Sequence, residues 1–229
     1  MRNVSIGERV VIVGTGEQGA IAHEYLSSGS PHEVVAFSAE SPFITSDTYR
    51  GLPVVPFETL AKAYPPDEYR TFIAVSDIQL NRVRSRLYGA VKEAGFSCVS
   101  CLSDRAFALP SAEHGENLFA QEFTSLQHDV RVGSNVFLSS GTCVGHSSTM
   151  EDDCYTGPHA VICGGVTIRR GSFLGANSCI LETVTVAEDC IIGAGAVVLK
   201  DTEPGQVYVG SPARPTGRGS LVTAGVAVG

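Results

Sequence analysis

Three histidines in the C-terminal half of the sequence carry imidazoles, which bind metal ions or transfer protons near neutral pH. His128 and His146 stand eighteen positions apart in the sequence, and His159 follows thirteen positions after His146. A zinc site made of three imidazoles needs ligands that converge, usually with a close pair on one strand. The spacing supplies no such pair, so we predict no metal ion. A lone histidine usually belongs to plain surface or to a subunit interface, and we interpret His128 and His159 in this way.

A glycine-rich turn near the N-terminus forms a second candidate site, with the pattern GxGxxG at residues 14–19. It follows the apolar run of residues 9–14 and precedes a helix-like stretch at residues 20–27, as a strand-to-helix phosphate turn requires. Its glycines let the backbone approach a phosphate, and the helix N-terminus offers free N–H groups. Glu40 lies about 20 residues further on, where an acidic residue holds a ribose or a base. A solvated loop carboxylate is an equally compatible interpretation of Glu40.

The elements around this turn predict a small α/β domain with a Rossmann-like parallel sheet over residues 1–106. Further strands are predicted at residues 34–37, 54–55, 71–75 and 96–101, with helices at residues 57–63 and 78–94. The domain is too short for a dinucleotide fold with two halves, so a mononucleotide-sized ligand suits it better than NAD. Three arginines on the last helix, Arg82, Arg84 and Arg86, are interpreted as a solvated face and are not assigned to the site.

A period of six residues dominates the chain from Ala120 to about Glu203. Twelve of the fourteen positions in this series from Ala120 to Val198 hold Leu, Ile, Val or Met, and a small or β-branched residue stands four positions after each. The period matches neither a helix nor an ordinary strand. It indicates a hexapeptide-repeat parallel β-helix with triangular coils of three hexads each, in which every position stacks on the equivalent position three hexads later. We assign residues 107–215 to this domain and residues 216–229 to a C-terminal tail.

Composition excludes several classes of partner. The formal net charge is −8 without a long basic run, which argues against nucleic acid or an anionic membrane surface. No apolar run approaches the length of a membrane span, and the residues after Met1 do not resemble a signal peptide. Seven cysteines, an odd number, include five small wall residues of the hexads, so we predict reduced thiols and a cytoplasmic location. The lone pair Cys98 and Cys101 is interpreted as part of a buried strand.

The order of the two halves, together with the closing motif at residues 209–214, resembles one family of acyltransferases. This is the sialic-acid O-acetyltransferase and nucleotide-amino-sugar N-acetyltransferase family of hexapeptide-repeat enzymes. The residues that carry the resemblance are the GxGxxG turn, His146, Gly157-Pro158, residues 163–166, 173–178 and 192–198, and Val209-Gly210-Ser211-Pro212-Ala213-Arg214. The resemblance covers nearly the whole chain. It implies a left-handed coil, a homotrimer with acetyl-CoA between neighbouring prisms, and a nucleotide-linked sugar on the N-terminal domain.

The same resemblance implies roles for individual residues. His146 matches the general base that takes a proton from the attacking amine or hydroxyl group. The backbone N–H of Gly164 would face the oxyanion of the tetrahedral intermediate, and Ala176 and Ala194 would line the CoA groove. The positions that match the sugar-nucleotide site are Gly14, Gly16 and Glu40.

The chain departs from the family pattern beside the histidine. The acid that usually follows the catalytic histidine is replaced by Ser147. Asp129 stands three hexads earlier, so it is predicted to stack on Ser147 and to orient His146. Ser139 and Tyr155 stand where relatives carry an asparagine and a second histidine, so we predict that both contact the acceptor. For Tyr155, packing at a subunit interface is an equally compatible interpretation.

The sequence therefore predicts an acetyl-CoA-dependent N-acetyltransferase acting on a nucleotide-linked amino sugar, used for a surface polysaccharide or another glycosylated product. Transfer to a hydroxyl of a sugar or another small molecule is the first alternative. A sugar-nucleotide-binding trimer whose catalytic site has drifted is the second alternative.

Overall fold

A computed structural model of the chain describes residues 7–226. Residues 1–6 of the predicted N-terminal domain and residues 227–229 of the predicted tail lie outside the described residues. The prediction that no signal peptide follows Met1 concerns this undescribed part of the chain. The described chain divides into two compact units. One holds residues 7–76 and 84–101, and the other holds residues 77–83 and 102–226.

The first unit contains a mainly parallel sheet with helices, as predicted. Its strands are β1 (Arg9–Val13), β2 (Glu33–Ala39), β3 (Thr48–Tyr49), β4 (Leu52–Pro56) and β5 (Arg70–Ile73), in the spatial order β3-β4-β2-β1-β5. Its helices are α1 (Glu17–Gly29), α2 (Leu60–Ala63) and all but the first two residues of α3 (Arg82–Glu93), with 3₁₀ turns at Ser41–Phe43 and Phe57–Thr59. All pairs are parallel except β3 with β4, and the central residues Val10–Val13 are fully buried. A continuous apolar strand is buried in this way when both faces of a parallel sheet are covered.

Two predicted elements of this unit are shorter than expected. The helix predicted at residues 78–94 begins only at Arg82, because Gln79, Leu80 and Asn81 have φ values of 53°, 49° and 64°. Left-handed residues cannot continue a right-handed helix, so they mark its start. Within the strand predicted at residues 96–101, Cys98 makes an isolated parallel bridge to Thr71, and the last residue belongs to the short strand Cys101–Leu102.

The second unit is a parallel β-helix whose coils each contribute three short strands. The strands are β6 (Cys101–Leu102), β7 (Phe107–Ala108), β8 (Glu113–His114), β9 (Phe119–Ala120), β10 (Ser125–Leu126), β11 (Arg131–Val132), β12 (Phe137–Leu138), β13 (Cys143–Val144), β14 (Thr149–Met150), β15 (Tyr155–Thr156), β16 (Val161–Ile162), β17 (Thr167–Ile168), β18 (Phe173–Leu174), β19 (Cys179–Ile180), β20 (Thr185–Val186), β21 (Ile191–Ile192), β22 (Val197–Val198), β23 (Gln206–Val209) and β24 (Arg214–Gly219). A short helix, α4 (Ser220–Thr223), follows β24.

These strands form three sheets, which we call the first, second and third face. The first face holds β7, β10, β13, β16, β19 and β22, and the second face holds β8, β11, β14, β17 and β20. The third face holds β6, β9, β12, β15, β18, β21 and β23, with β24 antiparallel to β23. Each hexad strand pairs in parallel with the strand one coil further along the chain, as Leu126 of β10 pairs with Val144 of β13. The predicted stacking is confirmed, and it begins before Ala120, at β6.

The predicted inward positions form the core of the β-helix. From Leu126 to Val198 every one of them is buried, and so are the small residues four positions later that close each corner, from Val130 to Thr202. Thr156 is the polar exception among the large inward residues. Its hydroxyl pairs with that of Thr142 at 2.8 Å and accepts the N–H of Ser139 at 3.2 Å, so a buried polar atom is satisfied there.

The corners between faces share one backbone conformation. Every sixth residue from Asn117 to Gly195 has a φ between 54° and 73°. We name each corner after the face that it follows. The left-handed residues are Asp129, Ser147, Gly165 and Thr183 at the first corner, Asn117, Asn135, Asp153, Gly171 and Asp189 at the second, and Phe123, Gly141, His159, Asn177 and Gly195 at the third. Asn, Asp and Gly tolerate this region best, which accounts for their frequency at these positions.

The chain after Pro215, which was predicted as a tail, packs on the last coil through β24 and α4. Ser220 is fully buried, and its hydroxyl donates to the carbonyl oxygen of Asp189 at 2.5 Å. Across residues 7–226, none of the helices combines the length and apolar character that crossing a membrane requires.

Candidate active site

His146 lies at the first corner, exposed, with its imidazole directly over the α carbon of Gly164. The two residues occupy the same place on successive coils, because Val144 pairs with Ile162 in the parallel register. A Cβ atom added to Gly164 would stand 2.5 Å from Nε2 and 2.6 Å from Cε1 of His146. Any other residue at position 164 would therefore displace the imidazole.

The backbone of Gly164 leaves one donor available. Its carbonyl oxygen accepts the N–H of Thr183 at 3.0 Å, and the N–H of Gly165 donates to the carbonyl oxygen of His146 at 2.8 Å. Within the described chain, the N–H of Gly164 donates to no backbone or side-chain acceptor. An unpaired N–H can donate a hydrogen bond to an anionic oxygen, and the exposed imidazole beside it can accept a proton.

Asp129 stacks on Ser147 as the spacing predicts, but its carboxylate has another partner. Oδ2 of Asp129 lies 3.3 Å from Nδ1 of His128, and both side chains are exposed. Among residues 7–226 this carboxylate lies within 4 Å of His128 but not of His146. The predicted support of His146 by Asp129 stays a prediction that requires the carboxylate to change partner.

His159 lies at the third corner, over the α carbon of Gly141, and so does not share a corner with His128 and His146. No group of three or more His, Cys, Asp or Glu residues in the described part of the chain is placed to hold a metal ion.

The predicted CoA-groove residues lie on a different corner from His146. Ala176 follows β18 and Ala194 follows β21, both on the third face, and they stack one coil apart. Ala176 is half-buried and Ala194 is exposed. Within one chain, Ala176 and Ala194 do not lie beside His146.

Ser139 and Tyr155, the predicted acceptor contacts, belong to the third face and are buried. The hydroxyl of Ser139 donates to the carbonyl oxygen of Thr156 at 2.5 Å. The ring of Tyr155 stacks between Phe137 and Phe173, with centroid distances of 4.4 Å and 5.7 Å. Within this chain Tyr155 is a packing aromatic, and neither residue is brought to His146.

In the first unit, each glycine of the GxGxxG turn serves a different purpose. Gly14 has a φ of +128°, and a Cβ there would strike the carbonyl oxygen of Ala74. A Cβ at Gly19 would strike the carbonyl oxygen of Gly14, so this glycine permits close packing of helix on strand. Gly16 has open space within 4 Å of its Cβ position, which leaves the backbone accessible to a phosphate. The three glycines therefore meet the requirements of a phosphate turn.

Glu40 follows β2 at the carboxyl edge of the sheet, next to this turn, since the N–H of Gly14 donates to the carbonyl oxygen of Ser38 at 2.8 Å. Both oxygens of its carboxylate are held by Arg86, whose NH1 and NH2 groups donate at 3.0 Å and 2.8 Å. These hydrogen bonds raise the pKa of Arg86. From the sequence, Arg86 was interpreted as part of a solvated face and was not assigned to the site. One feature of the sequence points to a site role for Arg86: it lies on a helix that follows β5, on the ligand-binding side of an α/β sheet.

Comparisons with solved structures place the chain among acetyltransferases. Perosamine N-acetyltransferase from Caulobacter crescentus, in a histidine-to-asparagine variant with CoA and GDP-perosamine, is 27% identical over 93% of this chain and 99% of that chain, with a TM-score of 0.81. Another structure, of PerB from the same organism with the same ligands, is 28% identical with equal coverage and a TM-score of 0.80. The acetyltransferase domain of PglB from Neisseria gonorrhoeae is 22% identical over 91% of this chain and 100% of that domain, with a TM-score of 0.83, and supports the fold alone. No protein-family model and no curated protein matches the sequence.

The fold and these matches define the class of the chain: an N-terminal α/β unit followed by a left-handed parallel β-helix. The two structures from Caulobacter crescentus hold CoA and GDP-perosamine, and one is named as a perosamine N-acetyltransferase, which confirms the resemblance predicted from the sequence.

Proposed function

We propose that the protein is an acetyl-CoA-dependent N-acetyltransferase that acts on a nucleotide-linked amino sugar. The comparisons confirm the predicted class, an acyltransferase that uses acetyl-CoA, because the structures from Caulobacter crescentus hold CoA. Their second ligand, GDP-perosamine, supports a nucleotide-linked sugar as the acceptor. A role in polysaccharide biosynthesis and a cytoplasmic location are further parts of the proposal, the latter supported by the odd number of cysteines.

The observation that carries the proposal is the imidazole of His146 over Gly164, beside an unpaired N–H. In the proposed reaction the amine nitrogen attacks the thioester carbon while His146 accepts the amine proton. The N–H of Gly164 donates to the oxyanion of the tetrahedral intermediate. When the intermediate collapses, the C–S bond breaks and the departing thiolate takes the proton from the imidazolium.

A homotrimer with sites between subunits is part of the proposal, and the corner geometry supports it. His146 lies at the first corner and Ala194 at the third corner of the same prism, so a site that uses both is completed by a second copy. Coexpression tests this directly. His146→Asn and Ala194→Trp should each be inactive alone and should recover part of the activity when they assemble together. No recovery in a mixed oligomer would contradict shared sites.

The central test measures thiol release from acetyl-CoA with a panel of nucleotide-linked sugars. His146→Asn should lower kcat by at least about 100-fold, since general-base catalysis contributes about 10²–10⁴-fold. Gly164→Ala should have a similar effect because the new methyl group displaces the ring. Gly89→Ala is the matched control, since its Cβ position is open and it lies in α3. Full activity of Gly164→Ala would refute the assigned geometry.

The acceptor panel separates the alternatives. Release that depends on an amino sugar supports N-acetylation. Release with hydroxyl acceptors alone would make the protein an O-acetyltransferase. Sugar-nucleotide binding without release would identify a binding protein whose catalytic site has drifted.

A further inference from the structure

The carboxylate of Glu40 is poised at the nucleotide edge of the first unit, yet it is fully engaged by one side chain. Arg86 presents two parallel N–H donors, one to each carboxylate oxygen, at 3.0 Å and 2.8 Å. The Glu40 side chain is 26% exposed and that of Arg86 is 55% exposed, so a ligand can reach the pair from solvent. Such a bidentate fork is the strongest arrangement that a carboxylate accepts from a side chain.

Among the common nucleobases, guanine alone carries the same fork. Its N1–H and N2–H groups are parallel donors on one edge, and its O6 atom beside them is an acceptor. Uracil and thymine offer one N–H between two carbonyl oxygens, so a carboxylate gains one hydrogen bond and faces a repelling oxygen. Adenine and cytosine place an acceptor nitrogen beside their amino group, which likewise leaves one carboxylate oxygen unmatched.

We propose that Glu40 selects guanine nucleotides: the base replaces the Arg86 guanidinium on the Glu40 carboxylate, and the released Arg86 donates to the acceptors of the ligand. This inference rests on the proposed function for the sugar part of the substrate, and it adds the identity of the base. In the free protein Arg86 keeps the carboxylate satisfied, so the site is not left with an unpaired charge.

The exchange predicts that a uracil nucleotide binds more weakly than a guanine nucleotide. Displacing Arg86 removes two charge-assisted hydrogen bonds, and only a ligand with two parallel donors restores both. A site that accepts two such donors disfavours an analogue that lacks one of them, since one carboxylate oxygen is then left without its partner.

Calorimetric titration of the full chain with nucleoside diphosphates, without acetyl-CoA, tests the inference separately from catalysis. GDP should bind about 10- to 100-fold more tightly than IDP, which differs only by the absent N2 amino group. UDP and dTDP should bind at least about tenfold more weakly than GDP. Equal affinity for GDP and IDP, or tighter binding of UDP, would overturn the inference even if acetyl transfer proceeds as proposed.

Variants of the pair sharpen the test. Glu40→Gln should abolish the preference for GDP over IDP, because the amide places a donor against guanine N–H groups. Arg86→Ala should keep the preference, since the carboxylate remains. Glu68→Gln is the matched control: Glu68 also pairs with an arginine, Arg9, but at the amino end of β1. It should leave both affinities unchanged.

A ribose role for Glu40 predicts a different pattern. In that case 2′-deoxy-GDP would bind more weakly than GDP, while GDP and IDP would bind equally. That pattern would overturn base selection. If acetyl transfer fails in the thiol assay while GDP binds more tightly than IDP, the inference stands and the proposed function does not.

Discussion

Arg169 and Arg170 are neighbours in the sequence, yet they pair with carboxylates of very different burial. Arg170 donates to Oδ2 of Asp153 from Nε at 3.0 Å and from NH2 at 2.8 Å, and the Asp153 side chain is 4% exposed. Arg169 pairs with Glu151, whose side chain is 33% exposed. Asp153 also ends a buried ladder of amides at the second corner, since Asn135 donates to its Oδ1 at 2.7 Å and Asn117 donates to Asn135 at 2.8 Å.

Arg170→Ala should destabilise the protein by about 2–3 kcal/mol. Breaking a buried ion pair costs about 3–5 kcal/mol, and the exposure of the Arg170 side chain, 63%, places this pair below that range. The Asp153 carboxylate would keep the hydrogen bond from Asn135 but lose both bonds to Arg170. Asp153→Asn on the same background should recover about 1 kcal/mol or more, because it removes the buried charge. Asparagine also tolerates the left-handed backbone at this position.

Thermal unfolding followed by circular dichroism, at equal protomer concentration, measures these effects. A loss of about 2–3 kcal/mol corresponds to a Tm lower by about 4–12 °C for a chain of this size. Arg169→Ala is the matched control and should cost at most about 0.5 kcal/mol, since exposed pairs contribute little. If Arg170→Ala and Arg169→Ala lower Tm equally, the burial argument is wrong.

Two further predictions concern groups in the interior. Thr156→Val should cost about 1–2 kcal/mol of stability, because the N–H of Ser139 loses its hydroxyl acceptor; a stabilised Thr156→Val would contradict this. Adding Thr142→Val should cost about 1 kcal/mol more, because the Thr142 hydroxyl also donates to the carbonyl oxygen of Ser139 at 2.7 Å. Burial raises the pKa of Cys101 to about 12, so at pH 8 only about 10⁻⁴ of this thiol is ionised. Iodoacetamide should modify Cys101 only after unfolding, as mass spectrometry of its peptide would reveal, and labelling of the folded protein at pH 8 would contradict this.

The six-residue period was enough to predict the β-helix, because the pattern of burial and the stacking follow from it directly. The period does not reveal partners that depend on side-chain direction. Asp129 was predicted beside His146 from the coil spacing alone, yet its carboxylate lies 3.3 Å from His128. Stacking fixes which α carbons are neighbours, while rotamers decide which of several polar groups within reach is bound.

The basic helix of the α/β unit shows a second limit. Arg82, Arg84 and Arg86 were all interpreted as solvated, but Arg84 is 1% exposed and Arg86 is held by Glu40. Arg82 is also paired, within the second unit, with Asp189 at 2.6 Å. A charged residue at helical spacing is usually exposed, so composition alone favours the solvated interpretation. Only the tertiary arrangement identifies the carboxylates that pair with Arg82 and Arg86.

The structure gives a physical reason to consider His146 and Gly164 together. Coils of a β-helix are about 4.8 Å apart, so the residue one coil after an exposed imidazole competes with the ring for the same space. The series of stacked residues at this corner is His128, His146, Gly164 and Glu182, and only the one directly after His146 lacks a side chain. That glycine gives the ring a place to lie, and its N–H has no acceptor within the described chain. A histidine followed by glycine one coil later is therefore a spacing that brings the proposed base and the proposed oxyanion donor together through sterics, independently of any resemblance.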